Sequence, residues 1–252
     1  MRIVFIFLLI QLFLANVMAD EITLATDLWC PYACDPNSKT PGFMVEIAKE
    51  IFEKKGHKIN YKIINWARAI ALAKEDEING VISASRADVV GFILPTIPTG
   101  YNSNFFWTIK DSKFIYKDID SLKGLKVGVI NAYSYGDEVD LAVSKKHPSF
   151  STVSGENALL KLIKMTEAKR LEAFVENPFV LKYLLKDLPK YQDSFKAVSK
   201  NIANDPDLFI AFSPKNPKSP EYAKIISEGM VQLRKSGKLK DILAKYSLKD
   251  WK

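Results

Sequence analysis

Three short stretches of this 252-residue chain carry the residue types that could do chemistry. Near the start, Ala25-Thr26-Asp27-Leu28-Trp29-Cys30-Pro31-Tyr32 reads as a strand that breaks at Pro31 into a loop bearing a carboxylate and two aromatic rings. In Ser83-Ala84-Ser85-Arg86-Ala87-Asp88 an arginine stands among hydroxyls. A guanidinium makes planar, bidentate, charge-assisted pairs with carboxylates and keeps its charge at any working pH. Arg86 could therefore clamp a ligand carboxylate, or pair with Asp88 in an ordinary polar loop. Glu176 follows the apolar Ala173-Phe174-Val175 and directly precedes Asn177-Pro178, so it falls at a strand's carboxyl end. There it either faces a ligand or is simply favoured by the start of a helix. Trp29, Trp66, Tyr101 and Tyr133 offer apolar walls and ring faces that attract cations, although each alone fits a core equally well.

This equipment suits holding a small polar molecule. Catalysis finds little support: no Ser-His-Asp or Cys-His arrangement is visible, and no Gly-rich phosphate loop occurs. The two histidines, His57 and His147, lie in lysine-flanked, turn-like contexts. No cofactor and no metal site is expected. The two cysteines, Cys30 and Cys34, stand four apart, and neither histidine is near them in sequence. In an exported chain a Cys30–Cys34 bridge would stiffen the loop carrying Trp29 and Tyr32; reduced bystander thiols are the alternative.

The elements that must position these residues alternate between strand and helix, which argues for an α/β fold with largely parallel strands. Met44, Ile47, Ala48, Ile51 and Phe52 form one apolar helix face, stopped by Gly56. Ile59, Tyr61 and Ile63 alternate as a strand, a helix runs from Trp66 to Lys74, and Gly80 to Ser83 is the next strand. A second series starts at Lys126-Val127-Gly128-Val129-Ile130, continues through a helix from Ser154 and reaches a strand at Leu171 to Val175. Asn177-Pro178 reads as N-cap and first helical residue. Ser219-Pro220-Glu221 caps a long helix that Gly237 ends, and a last amphipathic helix follows. Loops at the carboxyl ends of strands in such sheets face a crevice, where ligands bind.

Met1 to Ala19 has one early charge, Arg2, an apolar centre and small or aliphatic residues at its end, which marks a secretory signal peptide cleaved before Asp20. Its apolar run is shorter than the ~20 residues a membrane span needs. Losing this leader takes the formal net charge from +7 to +6. The lysines are spread along helix faces among glutamates, a solvated surface that does not suit nucleic acid.

Asp27 and Trp29 ahead of Pro31, Gly42-Phe43 before the first helix, Trp66-Ala67-Arg68, Arg86 followed by Phe92 and Pro95, Ser121-Leu122-Lys123-Gly124 before Val127-Gly128-Val129, Glu176, and Leu233-Arg234-Lys235-Ser236-Gly237-Lys238-Leu239 occur in an order that resembles the family 3 extracellular solute-binding proteins. The resemblance spans nearly all of the mature chain. It implies a two-lobed, type II periplasmic-binding-protein fold, each lobe a sheet flanked by helices, joined by two extended hinge strands. Lobe 1 would be 20–103 with 209–252, and lobe 2 would be 104–208, closing near Tyr101 to Phe106 and Leu208 to Ile210. It further implies a periplasmic monomer that hands a small ligand, an amino acid or similar zwitterion, to the membrane permease of an ABC importer.

In that frame Arg86 holds the ligand's carboxylate, helped by Ser83 and Ser85, in a segment about four residues shorter than the family's. Glu176, with Asp27 beside it, holds the ammonium. Trp29 and Trp66 sandwich the ligand, and Tyr32 stands in the same loop. Tyr133-Ser134-Tyr135-Gly136 departs from the family's small residues and would narrow that end of the pocket. Two other roles fit the same fold: a periplasmic enzyme acting on a small carboxylic acid, with Glu176 as an acid in a closed cleft, and a ligand-binding module for a sensor.

Overall fold

The computed structural model describes residues 19–155 and 157–251, so the leader expected over 1–19 falls, but for Ala19, outside the described residues. The chain builds two five-stranded sheets, each covered by helices. The first sheet takes β1 (Glu21–Thr26), β2 (Lys58–Ile63), β3 (Gly80–Ala84) and β4 (Gly100–Tyr101), with α1 (Phe43–Glu53) and α2 (Trp66–Lys74) between them. The second takes β5 (Phe105–Ile109), β6 (Val127–Ile130), β7 (Phe150–Val153), β8 (Ala173–Glu176) and β9 (Phe195–Ala197), with α3 (Asp137–Ser144), α4 (Ala158–Glu167) and α5 (Pro178–Lys186). The chain then returns to the first sheet as β10 (Asp207–Phe212) and ends in α6 (Ser219–Lys235) and α7 (Lys238–Ala244). Strand orders are β2-β1-β3-β10-β4 and β7-β6-β8-β5-β9.

The sheets are mixed, where largely parallel ones are expected. β1 runs parallel to β2 and β3, and β6 to β7 and β8. β10 and β5 run antiparallel to their neighbours. These two strands enter a sheet from the other sheet, without the helical crossover that parallel neighbours require, so nothing fixes them in the parallel sense. Both passages between sheets are short, 102–104 outward and 198–206 on the return. The return thus precedes Leu208 to Ile210, which are already paired to the first sheet within β10.

β1 is covered on both faces. Ile22 and Leu24 of β1 join the core cluster of α1, α6 and α7, while Ala25, pointing the opposite way, packs with Trp66, Ala69 and Ala73 of α2. α2 has the bounds its sequence suggests, and Asn177 caps α5 as expected, its side-chain oxygen accepting from the Phe179 and Val180 amides. The long helix differs in one detail: Ser219 lies inside α6 and donates to the Ser213 carbonyl rather than capping the helix. α3 has no apolar stripe to betray it, since only Val139 and Ala142 are buried, and three acids in its first turn favour the helix electrostatically.

The Trp29–Cys34 loop is fastened onto the start of α1. Phe43 and Met44 donate their free N-terminal amides to the carbonyls of Pro31 and Tyr32 at 3.0 and 3.1 Å. Gly42 makes this approach possible: its φ is +109°, and a Cβ there would lie 2.5 Å from the Tyr32 carbonyl oxygen. Cys30 and Cys34 are disulfide-bonded, which closes the loop on itself.

Candidate ligand-binding site

The carboxyl ends of β1, β3 and β8 meet the outward passage and the turn after β6 around a cavity of about 30 Å³. That is room for water and not for an amino acid. Asp27, Trp29, Trp66, Ser83, Ser85, Tyr133, Ser134 and Glu176 all line it, so eight of the ten expected ligand residues converge. Tyr32 stands one layer behind. It stacks on Trp29 with ring centroids 4.2 Å apart, and its hydroxyl donates to the Tyr101 carbonyl at 2.7 Å. Tyr101 itself offers no ring to the cavity.

Arg86 does not reach it. The guanidinium is half exposed, lies 4.4 Å from the Phe209 ring centre and pairs with Asp205 and Asp207. The structure therefore departs from the expected carboxylate clamp at Arg86. The physical reason lies in the return passage: it sets two acids beside the arginine, and ion pairs to both draw the side chain away from the cleft. Nor does Arg86 pair with Asp88, which is taken by Ser85 through its amide at 2.8 Å and its hydroxyl at 2.7 Å.

Glu176 is the most constrained polar group. It is 1% exposed at the end of β8, and its Oε1 accepts from Trp29 Nε1 at 3.2 Å and from the Asn177 amide at 2.7 Å. Its Oε2 is buried without a hydrogen-bond partner among the described residues. Burial pushes the carboxyl up to about 7, against those two hydrogen bonds and with help from the Asp27 charge. Asp27, just beyond β1, accepts from the Tyr133 hydroxyl at 2.6 Å, and burial raises it to about 6. Asp88 rises to about 6 for the same reason.

The two sheets touch through these groups. Trp29 reaches Glu176, Tyr133 reaches Asp27, and Asn177 Nδ2 donates both to the Tyr32 hydroxyl at 3.1 Å and to Asn102 Oδ1 at 2.8 Å. Ser134 turns its hydroxyl to Asp140, which also takes the Tyr135 and Gly136 amides. Tyr135 accepts from the Ile130 amide, so of the two tyrosine hydroxyls only that of Tyr133 bridges to the opposite wall.

Thr26, Asp88, Asn102, Asn104 and Leu208 also line the cavity without having been expected there, and Tyr135, expected to narrow that end of the pocket, lines it too. Asn104 Nδ2 donates to the Tyr135 carbonyl at 3.0 Å and so holds that turn against the outward passage. A signal was present: two asparagines in an otherwise aromatic extended stretch are polar groups that a crossing strand would otherwise not need. Among the described residues, no group of His, Cys, Asp and Glu is arranged to hold a metal.

Residues 22–249 match the bacterial extracellular solute-binding proteins, family 3, and the chain belongs to that family. A curated relative, the probable amino-acid-binding protein YxeM of Bacillus subtilis, is 24% identical over 234 residues, covering 90% of this chain and 83% of its own. Among solved structures, a histidine kinase sensor domain with similarity to periplasmic binding proteins superposes with a TM-score of 0.72 at 20% identity, over 90% of this chain and 95% of that one. An ancestral arginine-binding protein bound to arginine gives 0.69 at 22%, over 90% and 98%. A structure from glutathione import via GshT and the cystine ABC importer TcyBC of Streptococcus mutans gives 0.73 at 18%, over 91% and 95%. The fold is that of type II periplasmic binding proteins.

Proposed function

We propose that this chain is an exported receptor that captures a small polar, amine-bearing molecule between its two sheets and delivers it to an ABC importer. The carrying observation is that acids from both sheets, Asp27 and Glu176, converge with Trp29, Trp66 and Tyr133 on one small cavity. Capture requires the cleft to open first, since the space between the walls is too small for an amino acid. The two lobes are then 20–101 with 207–252, and 105–197, moving about the passages 102–104 and 198–206. A ligand that touches both walls favours the closed form by its differential affinity. Family membership supports an extracellular location, and the expected cleavage before Asp20 would release the chain as a periplasmic monomer.

A thermal-shift screen of amino acids, amines, organic acids and sugars tests the receptor. A ligand at a hundred times its dissociation constant adds ~2.7 kcal/mol. Small-angle scattering of the saturated protein should report a closed particle, and ligand-free protein held open should be larger. One observation favours a second reading: Glu176, held near 7 in a buried cavity, has the protonation range of a general acid. Recovery of the ligand unchanged by mass spectrometry after long incubation rejects an enzyme.

A further inference from the structure

The donors that sequence offers to a ligand carboxylate are already committed within the protein. Ser85 gives its amide and hydroxyl to Asp88, Ser134 gives its hydroxyl to Asp140, Ser83 turns to Met44 Sδ, and Arg86 is held outside by Asp205 and Asp207. The lining contains three carboxylates, Asp27, Asp88 and Glu176, and no lysine, arginine or histidine. An α-amino acid would bring a fourth carboxylate into this site with no cationic side chain in the lining to meet it, and an unpaired buried charge is strongly disfavoured. What the cavity lining lacks is positive charge. One buried acceptor, Glu176 Oε2, has no hydrogen-bond partner among the described residues. Beside it stand the rings of Trp29, Trp66 and Tyr133, whose faces attract cations.

We propose that the ligand is a small organic cation, an amine or guanidine without a carboxylate, with an N–H group on Glu176 Oε2 and its charge shared with Asp27. This rests on the receptor reading above and narrows it to a chemical class. On binding, the cation takes up the carboxylates that the chain otherwise satisfies with its own Tyr133 and Trp29.

Matched pairs that differ only in the carboxylate provide the test: cadaverine against lysine, putrescine against ornithine, agmatine against arginine. Calorimetry on the mature protein at pH 8 should find the decarboxylated member at least tenfold tighter in one or more pairs. Glu176→Gln keeps the side chain's shape and should weaken that amine at least tenfold without lowering the ligand-free melting temperature; if it does not fold, Asp27→Asn carries the same test. An amino acid that binds as tightly as its decarboxylated partner overturns the inference. Binding of an organic acid or a sugar alone also overturns it and leaves the receptor reading standing. No response to any class overturns both.

Discussion

The two ends of the cleft are built from similar residues and are in opposite states. At one end Ser85, Arg86 and Asp88 satisfy one another or partners on the return passage, and the arginine is half exposed. At the other end Glu176 is sealed from water with one oxygen bare and its carboxyl lifted to about 7. A polar group that has every bond it needs is structure; one that is buried and short of a bond keeps a place for something else. Residue type alone points to Arg86, whereas hydrogen-bond accounting points to Glu176.

The largest effect should come from the bare end. Glu176→Ala strands the ligand's cationic group in a dry cleft, at a cost of about 2 to 5 kcal/mol, or roughly 30-fold or more in affinity by calorimetry.

Next is pH. The folded carboxyl of Glu176 titrates at about 7 instead of its ordinary 4.5, so the folded state binds the extra proton in between. Its contribution is therefore most favourable at low pH and is lost as pH rises through this window, by about 3 kcal/mol in all. Melting curves of wild type should fall relative to Glu176→Gln between about pH 4.5 and 8, and a flat difference would show that the end is not sealed. Cation affinity should run the opposite way, rising with pH as the carboxylate ionises.

A smaller effect tests the loop behind Trp29. Replacing Cys30 and Cys34 by alanine should cost ~2 kcal/mol of stability in the chain-entropy account of a short loop, read from denaturant unfolding. Affinity should also fall, because the Trp29 side chain that frames Glu176 is loosened. Smallest is Arg86→Ala: exposed ion pairs are worth about 1 kcal/mol or less, and ligand affinity should stay within about threefold. A large loss of affinity there would return the carboxylate clamp to Arg86 and erase the difference between the two ends.

Local signals were the legible ones. Helix α1 follows from its apolar spacing, the Asn177 cap from a dipeptide, and the gathering of Asp27, Trp29, Trp66 and Glu176 from strand ends combined with family resemblance. The fate of Arg86 was not legible, since its partners lie 119 and 121 residues away and reach it only because β10 pairs with β3. Ser83 illustrates the same limit. It sits in a strand, yet its φ is +69° opposite an irregularity in β10, a backbone choice that no serine announces. Gly136, whose Cβ would fall 2.0 Å from the Ile202 carbonyl oxygen, marks a contact between α3 and the return passage that spacing could not reveal.

Asn177 has both halves of its amide in use, the oxygen on the Phe179 and Val180 amides and the nitrogen on Tyr32 and Asn102. An aspartate would cap α5 equally well but would set a lone pair against the Asn102 oxygen, at the seam between the sheets. Asparagines age into aspartates when the next residue's backbone nitrogen attacks the side-chain amide, a route that requires that nitrogen to carry a hydrogen. Here the next residue is Pro178, which has none. The proline that starts the helix thus also protects this seam against deamidation.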